Sequence, residues 1–280
     1  MKNILKEVLL FTTLSLYLIY CITYNFYLKD QVIYSVTIWI TKIIPALFPT
    51  FIIIDLIYNS NIPYYISKYL HINFLYIISI ISGSPSNAYI LSKQNTDITK
   101  ELSVTKYTSL IFTYTYLKLI FNKSLAILLI LSNILSNFIL IFIIKPQSAI
   151  TPPKEKTSIF TCIINSITKN IRTLLTILGT IIFFNTLPIN LIQNTYLKTA
   201  LLSILEITTS LNNLSTISIP LNIKLFFTII SLSTCGLCIE AQIKSIINDT
   251  QINYPSYLFY RLLHVSIFLG ITFLFVKLLL

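Results

Sequence analysis

Long apolar stretches alternate with short polar connections along the whole chain. Six of these stretches are predicted to be clean spans, at 8–28, 36–57, 107–121, 125–144, 172–195 and 255–279. About 20 apolar residues, each rising about 1.5 Å along a helix, cross a hydrocarbon core of about 30 Å. The pattern therefore predicts an all-α, polytopic membrane protein whose helices contact the lipid bilayer.

Two further apolar regions, 70–92 and 199–247, are interrupted by polar and small residues. Within hydrocarbon every backbone N–H and C=O must be satisfied internally, so these regions are predicted to be re-entrant hairpins or discontinuous helices. The clearest interruption lies where Gly83 weakens a helix and Pro85 removes a hydrogen-bond donor. This interruption has two interpretations. It is either a ligand site at a broken helix, or a stretch of small residues that lets helices pack closely.

A polar stretch near the middle divides the chain into two halves. It carries five basic residues and one acidic residue between Lys145 and Arg172, as expected of a cytoplasmic connection. The chain, 1–280, is predicted to be a single transmembrane domain with four parts: an N-terminal span and connection (1–34), a first repeat half (35–144), a cytoplasmic linker (145–171) and a second repeat half (172–280). With the N-terminus inside, the first main span of each half runs in the opposite direction, which predicts inverted repeats.

Weak internal similarity fits two halves in two different ways. Gly83 and Thr113 are 30 residues apart, and so are Glu206 and Gly236. A competing alignment pairs the segment GSPSNAY at 83–89 with GLCIEAQ. We prefer the first alignment because it preserves the order of the elements.

Composition and charge narrow the class of protein. Hydrophobic residues make up 55% of the chain, charged residues 10%, and the mean hydropathy is +0.81, which excludes a soluble domain. The net charge of +11 comes from lysines at the ends of spans, so it indicates membrane topology and no nucleic-acid partner. The first span is interpreted as retained, because it is too long for a signal peptide and no small-residue cleavage site follows it.

Polar residues inside the apolar regions are the candidates for chemistry. Glu206 lies in LLSILEITTSLNNLS with Thr208 and Ser210 close behind, and an intramembrane acid usually marks a pathway. The alternative interpretation of Glu206 is an interfacial glutamate at the end of a hairpin. Glu240 and Gln242 form a second polar pair, for which the alternative is an i,i+4 ion pair between Glu240 and Lys244.

Other polar residues are explained more simply. Asp55 is interpreted as an interfacial anchor, and Arg261 with His264 as interfacial groups near the start of a span. Thr113 and Thr115 form a hydroxyl-rich stripe, whose alternative is ordinary packing. The sequence contains no nucleophile–base pair, metal-ligand spacing or phosphate loop, so we predict neither an enzyme nor a cofactor or metal site.

Six motifs, in order, resemble those of a known family: WITKIIPALFPTFIIIDLI, ISGSPSNAY, FTYTYLKLIF, LLSILEITTSL, CGLCIEAQI and RLLH. Over about residues 35 to 270 the chain resembles the sporulation integral membrane proteins of the YlbJ type, within the nucleoside-recognition (Gate-domain) membrane proteins. The resemblance implies a fold like that of concentrative nucleoside transporters, with two inverted halves. It also implies a role in spore cortex formation, with dipicolinate moved from the mother cell across the outer forespore membrane.

The resemblance also implies a substrate site. Ser82, Gly83 and Pro85 match the family's hairpin motif, and Thr113 and Thr115 match its threonine-rich helix. Glu206 to Thr208 match its Glu-Ile-Thr motif, and Gly236 to Gln242 match its Gly-Leu…Ala-Gln motif. With the neighbouring polar residues, the predicted substrate-binding set is Ser82, Gly83, Ser84, Pro85, Asn87, Thr113, Thr115, Glu206, Thr208, Ser210, Gly236, Glu240 and Gln242.

The chain departs from the family at several of these positions. Asn87 and Tyr89 stand after the hairpin proline, where the family has a glycine and a basic residue, and Ser210 replaces a glycine. We therefore expect a divergent member in the cell membrane, which transports a small anionic solute, by resemblance dipicolinate. The alternatives are a transporter of nucleosides or other neutral solutes, and a membrane scaffold for cortex assembly that does not transport.

Overall fold

The computed structural model describes residues 2–70, 73–94, 96–146, 158–247 and 251–279, and every regular element in these ranges is a helix. The helices of the first half of the chain are α1 Lys2–Thr23, α2 Asn25–Ile38, α3 Ile44–Asn59, α4 Ile62–Leu70, α5 Phe74–Ser82, α6 Ser86–Leu91, α7 Thr99–Thr105, α8 Leu110–Ile120 and α9 Lys123–Ile144. Those of the second half are α10 Ile159–Asn185, α11 Thr195–Leu205, α12 Ile207–Thr216, α13 Leu221–Thr234, α14 Gly236–Ile246 and α15 Tyr254–Leu279.

Six stretches in the described part of the chain are long and apolar enough to cross a membrane: Ile4–Thr23, Asn25–Asn59, Lys123–Ile144, Ile159–Asn185, Leu221–Ile246 and Tyr254–Lys277. The prediction of an all-helical, multi-pass membrane protein is thereby confirmed. Four of the six predicted spans differ from the helices. The stretch 8–28 runs past the end of α1 into α2, and 36–57 belongs to a helix that starts at Asn25. The stretch 107–121 contains only the short helix α8, and 172–195 runs past the end of α10 at Asn185. The predicted linker is accordingly shorter, and its residues 147–157 lie outside the described residues.

Helices α2 and α3 form one long span, with a π-helical turn at Trp39–Ile43 in its middle. Pro45 follows this turn and Pro49 lies inside α3. Neither proline can donate to the preceding turn, and such missing donors are a usual cause of local changes in helical winding. The Trp39 indole Nε1 donates to the Leu174 carbonyl at 2.9 Å, which ties this span to α10.

Both regions that were predicted to be interrupted are interrupted. In the first, α5 and α6 pack against each other around the connection 83–85, which includes a cis peptide bond before Pro85. In the second, α11 and α12 pack against each other around a single residue, Glu206. Each pair therefore forms a helical hairpin with its tip at the interruption.

Two more interruptions lie in helices that run end to end. Residues 106–109 separate α7 from α8, and Cys235 separates α13 from α14. The element order thus repeats between the halves: a long helix, a hairpin, an interrupted helix and another long helix. The members are α3, α5–α6, α7–α8 and α9 in one half, and α10, α11–α12, α13–α14 and α15 in the other.

The two halves interleave. Helix α3 packs along α10, α9 packs along α15, and α8 packs against α12. The largest apolar core follows this arrangement, because it combines residues of both halves, among them Leu117, Leu129, Leu211, Leu232 and Phe268. Helix α1 packs only weakly, and most of its apolar side chains are exposed, as expected of a lipid-facing helix.

Candidate functional site

In the first half, the hairpin tip packs against the interrupted helix. Gly83 has φ +70, and a Cβ added to it would lie 3.1 Å from the Ser109 nitrogen and 3.2 Å from the Tyr107 oxygen. The Ser84 N–H donates to that same Tyr107 carbonyl at 2.7 Å. The tip of α5–α6 therefore satisfies a backbone group that the break between α7 and α8 leaves free.

In the second half a hairpin tip also packs against an interrupted helix, but here the closely packed glycine belongs to the interrupted helix. Gly236, at the start of α14, has φ +79, and an added Cβ would lie 2.9 Å from the Leu205 oxygen and 3.2 Å from the Glu206 Cα. Cys235 precedes it with φ 57, in the left-handed region that a side chain seldom adopts. The break in α13–α14 thus rests directly on the backbone of the α11–α12 tip.

Glu206 is the N-cap of α12. One carboxylate oxygen accepts from the Thr208 N–H at 3.0 Å, and the other accepts from the Thr209 N–H at 2.5 Å and the Thr209 hydroxyl at 2.6 Å. These bonds and the positive end of α12 offset the cost of burying a carboxylate. Glu206 is 6% exposed, so the carboxylate at this hairpin tip is buried within the protein.

Hydrogen bonds between hydroxyl and amide groups connect this tip to α10, α2 and α13, and they also connect α12 to α11 of the same hairpin. The Thr209 Oγ1 also lies 2.9 Å from the Asn185 Oδ1, and the Asn185 amide donates to the Ser35 hydroxyl at 2.9 Å. Ser210 lies within hydrogen-bond distance of Ser203 at 3.2 Å and Ser231 at 2.7 Å. Such bonds hold transmembrane helices together, so Ser210 is part of the packing of the tip.

Glu240 forms an ion pair that connects the two halves. Its partner is Lys106, which lies in the break between α7 and α8 and is only 1% exposed. The Tyr257 hydroxyl also lies 3.1 Å from both Glu240 oxygens. The i,i+4 pair with Lys244 is therefore wrong, since Lys244 is exposed and lies over the Tyr254 ring.

Arg261 joins the ends of the two interrupted helices. Its guanidinium donates to the Ser103 carbonyl at 2.8 Å and also to the Ser233 carbonyl, in the last turns of α7 and α13. The final carbonyls of a helix have no partner within it, so one side chain satisfies an end in each half. Arg261 and His264 are 5% and 0% exposed, so both are buried within the protein, and their interfacial depth stays a prediction.

The predicted site residues fall into three groups. Gly83, Ser84, Pro85 and Asn87 lie at or beside the first tip, and the Ser84 hydroxyl is buried with no hydrogen-bond partner among the described residues. Glu206, Thr208 and Ser210 lie at or beside the second tip, and Gly236, Glu240 and Gln242 lie along α14. Thr113 bonds Thr108 at 2.7 Å beside the first tip, whereas the exposed Thr115 donates to its own helix at Ile111. Thr115 therefore lies apart from the site.

A second polar cluster surrounds Asp55, which we predicted to be an interfacial anchor. Asp55 is buried, and one of its oxygens accepts from the Tyr89 hydroxyl at 2.7 Å, the Ser166 hydroxyl at 2.6 Å and the Asn170 amide at 3.2 Å. The other oxygen forms an ion pair with Lys93. The spacing of Ser166 and Asn170, four residues apart, places them on one face of a helix. Both residues lie within 145–171, the stretch predicted to be a linker, and their spacing is the sequence signal of a helix there.

A cavity of about 370 Å³ adjoins this cluster, between α3, the end of α6 and α10. Its lining residues are Asp55, Tyr58, Asn59, Ser92, Lys93, Thr161, Cys162, Asn165, Ser166 and Lys169. Lys93 follows α6, outside the six spanning helices. Burial lowers the pKa of its ammonium to about 8, with Asp55 opposing that shift and Lys169 adding to it.

A scan against protein-family models found no match for this chain, and searches of curated proteins and of solved structures found none either. Within the described ranges, no three His, Cys, Asp or Glu side chains gather as a metal site. The helix breaks and the charged groups around them are therefore the features that bear on function.

Proposed function

We propose that the protein is a membrane transporter for a small anionic solute. The observation that carries the proposal is the pairing of breaks, in which each hairpin tip meets the interrupted helix of its own half. Non-helical backbone at membrane depth is tolerated where protein buries it or where it lines a wet cavity, and transporters use such breaks as binding sites. Helices that merely anchor a scaffold need no such breaks.

The two halves are proposed to be inverted repeats. With the N-terminus inside, α5–α6 enters the membrane from the cytoplasmic face and α11–α12 from the opposite face. Lys93 after α6 and Lys169 in the first half of α10 line one cavity, which supports placing the two at the same face. The long helices α3 and α10 then run in opposite directions, as in the inverted-repeat transporters and in the concentrative nucleoside transporters that the resemblance names.

The substrate class follows from the resemblance. The protein is proposed to be a divergent member of the YlbJ type that moves dipicolinate across the outer forespore membrane for spore cortex formation. At the first tip, the Ser84 hydroxyl has no hydrogen-bond partner among the described residues, so it is proposed to bond the ligand. At the second tip, the Glu206 carboxylate already accepts from the backbone amides at the start of α12, so the proposal places the binding of the anionic group at the first tip.

Uptake into proteoliposomes tests this function directly. Purified protein is expected to accumulate labelled dipicolinate and to leave labelled uridine outside. Uptake of uridine instead would assign a neutral solute, and uptake of neither would favour the scaffold. In a spore former, deletion of the gene is expected to lower spore dipicolinate, with recovery on external supply, and normal dipicolinate after deletion would contradict the proposal.

Replacing Ser84 by alanine is expected to lower uptake without lowering stability. The hydroxyl has no hydrogen-bond partner to lose in the described part of the chain, whereas a hydrogen bond to a charged ligand contributes about 1.5–3 kcal/mol, or roughly 10–100-fold in affinity. The measurement is initial uptake against substrate concentration, with the thermal midpoint in detergent recorded in parallel. Thr115→Val is the control, because Thr115 lies on an exposed face and its uptake should match the wild type. Equal uptake by Ser84→Ala and Thr115→Val would remove Ser84 from the site.

A further inference from the structure

Two lysine ammonium groups share the cavity beside Asp55 with a single carboxylate. The Lys93 Nζ lies 4.1 Å from the centroid of the Tyr89 ring, and the Lys169 Nζ lies 5.8 Å from the same centroid. Like charges held this close repel each other, and more strongly where one of them is shielded from water. The Lys93 side chain is 9% exposed, so water screens it poorly.

The Asp55 carboxylate does not neutralise this pair. Its two oxygens already accept from the Lys93 ammonium and from three further donors, on Tyr89, Ser166 and Asn170. Lys169 forms no ion pair with any carboxylate of the described residues. One positive charge is therefore left over at a cavity whose carboxylate is fully occupied.

The cavity has the size and the donors that a small ligand needs. A volume of about 370 Å³ lies at the lower end of the range for small-molecule sites, roughly 300–1,000 Å³. Thr161 and Asn165 lie on its α10 wall and add a hydroxyl and an amide. An anionic group between Lys93 and Lys169 would relieve their repulsion and accept from both.

We propose that this cavity, formed by α3, the end of α6 and α10, binds an anionic oxygen group, a carboxylate or a phosphate. Lys169 is the principal anchor, and Lys93 is positioned for it by Asp55. The group belongs either to a free small solute or to the headgroup of an anionic lipid. The site is separate from the helix breaks, and its occupancy does not require transport.

The test is equilibrium binding to the full chain in nanodiscs of phosphatidylcholine, with succinate and inorganic phosphate as probes. Both are expected to bind, and Lys169→Gln is expected to weaken binding about tenfold or more. Lys169 is exposed, so this variant keeps the fold, whereas Lys93→Gln would leave Asp55 buried without its ion-pair partner. Lys123→Gln, an exposed lysine outside the cavity, is the matched control.

A second arm assigns the source of the anionic group. Nanodiscs that contain a small fraction of phosphatidylglycerol are compared by native mass spectrometry for retained lipid. Retention that falls in Lys169→Gln but not in Lys123→Gln, without binding of the soluble probes, supports the site with a lipid headgroup as its ligand. Equal behaviour of the two variants with every probe would overturn the proposal. These binding measurements need no solute gradient. A failure of the proteoliposome uptake assay would therefore not change their outcome.

Binding of succinate is expected to weaken several-fold as the pH rises through about 8. The groups around Lys93 are Asp55 and Tyr58 of α3, Tyr89 of α6, and Cys162 and Lys169 of α10. With its pKa lowered to about 8, Lys93 is a cation below that pH and neutral above it, so the attraction for an anion is present at lower pH and lost at higher pH. Titration calorimetry at several pH values checks this, and an affinity that stays flat across the range would contradict it.

Discussion

Gly236→Ala is expected to destabilise the protein by about 2–5 kcal/mol. A left-handed backbone costs a residue with a Cβ about 1–2 kcal/mol, and Gly236 has φ +79. Overpacking adds about 1–3 kcal/mol, because the new Cβ would lie 2.9 Å from the Leu205 oxygen, a backbone atom that cannot turn aside. The measurement is the free energy of unfolding in mixed micelles, from a denaturing-detergent titration.

The chain supplies its own control for this substitution. Gly270 lies within α15, and an added Cβ would have no neighbour within 4 Å. Alanine is favoured over glycine in a helix interior by about 1 kcal/mol, so Gly270→Ala is expected to be neutral or stabilising. If both variants unfold alike, the start of α14 does not rest on the α11–α12 tip, and the pairing of breaks fails in the second half.

Arg261→Met is expected to cost about 2–6 kcal/mol, since each buried group left without its hydrogen bond costs about 1–3 kcal/mol. The two groups are the carbonyls of Ser103 and Ser233, and methionine occupies much of the space without donating to either. Arg261→Lys is expected to recover only part of the loss, because one ammonium does not reproduce the fork of a guanidinium. The same unfolding titration measures all of these variants.

Arg172 provides the comparison for Arg261. It lies exposed on α10, so Arg172→Met is expected to change the free energy of unfolding by less than about 0.5 kcal/mol. A loss in Arg261→Met no larger than that of Arg172→Met would mean that the guanidinium does not bridge the two interrupted helices.

The hairpins were predictable because their causes are local. An apolar run that contains Gly83, Ser84 and Pro85 cannot continue as a helix, and an acid such as Glu206 among leucines needs its own hydrogen bonds. The separation of Thr113 from Thr115 was predictable as well, since residues two apart point to different sides of a helix.

The charged contacts were not predictable, because their partners are remote in the chain. Lys106 and Glu240 are 134 positions apart, and Asp55 is 111 positions from Ser166. A lysine or an aspartate near the end of an apolar run has the same local pattern whether it lies at the interface or is buried in an ion pair. The break at Lys106 has no local sequence signal for this reason.

The position of Arg261 limits how the molecule can change shape. One guanidinium holds the carbonyl end of α7 and the carbonyl end of α13, and it stands on α15, a third helix. A displacement of either interrupted helix alone would break a buried hydrogen bond with nothing to replace it. In the proposed transporter, exposure of the site to alternate faces would therefore move α7, α13 and α15 together as one rigid body.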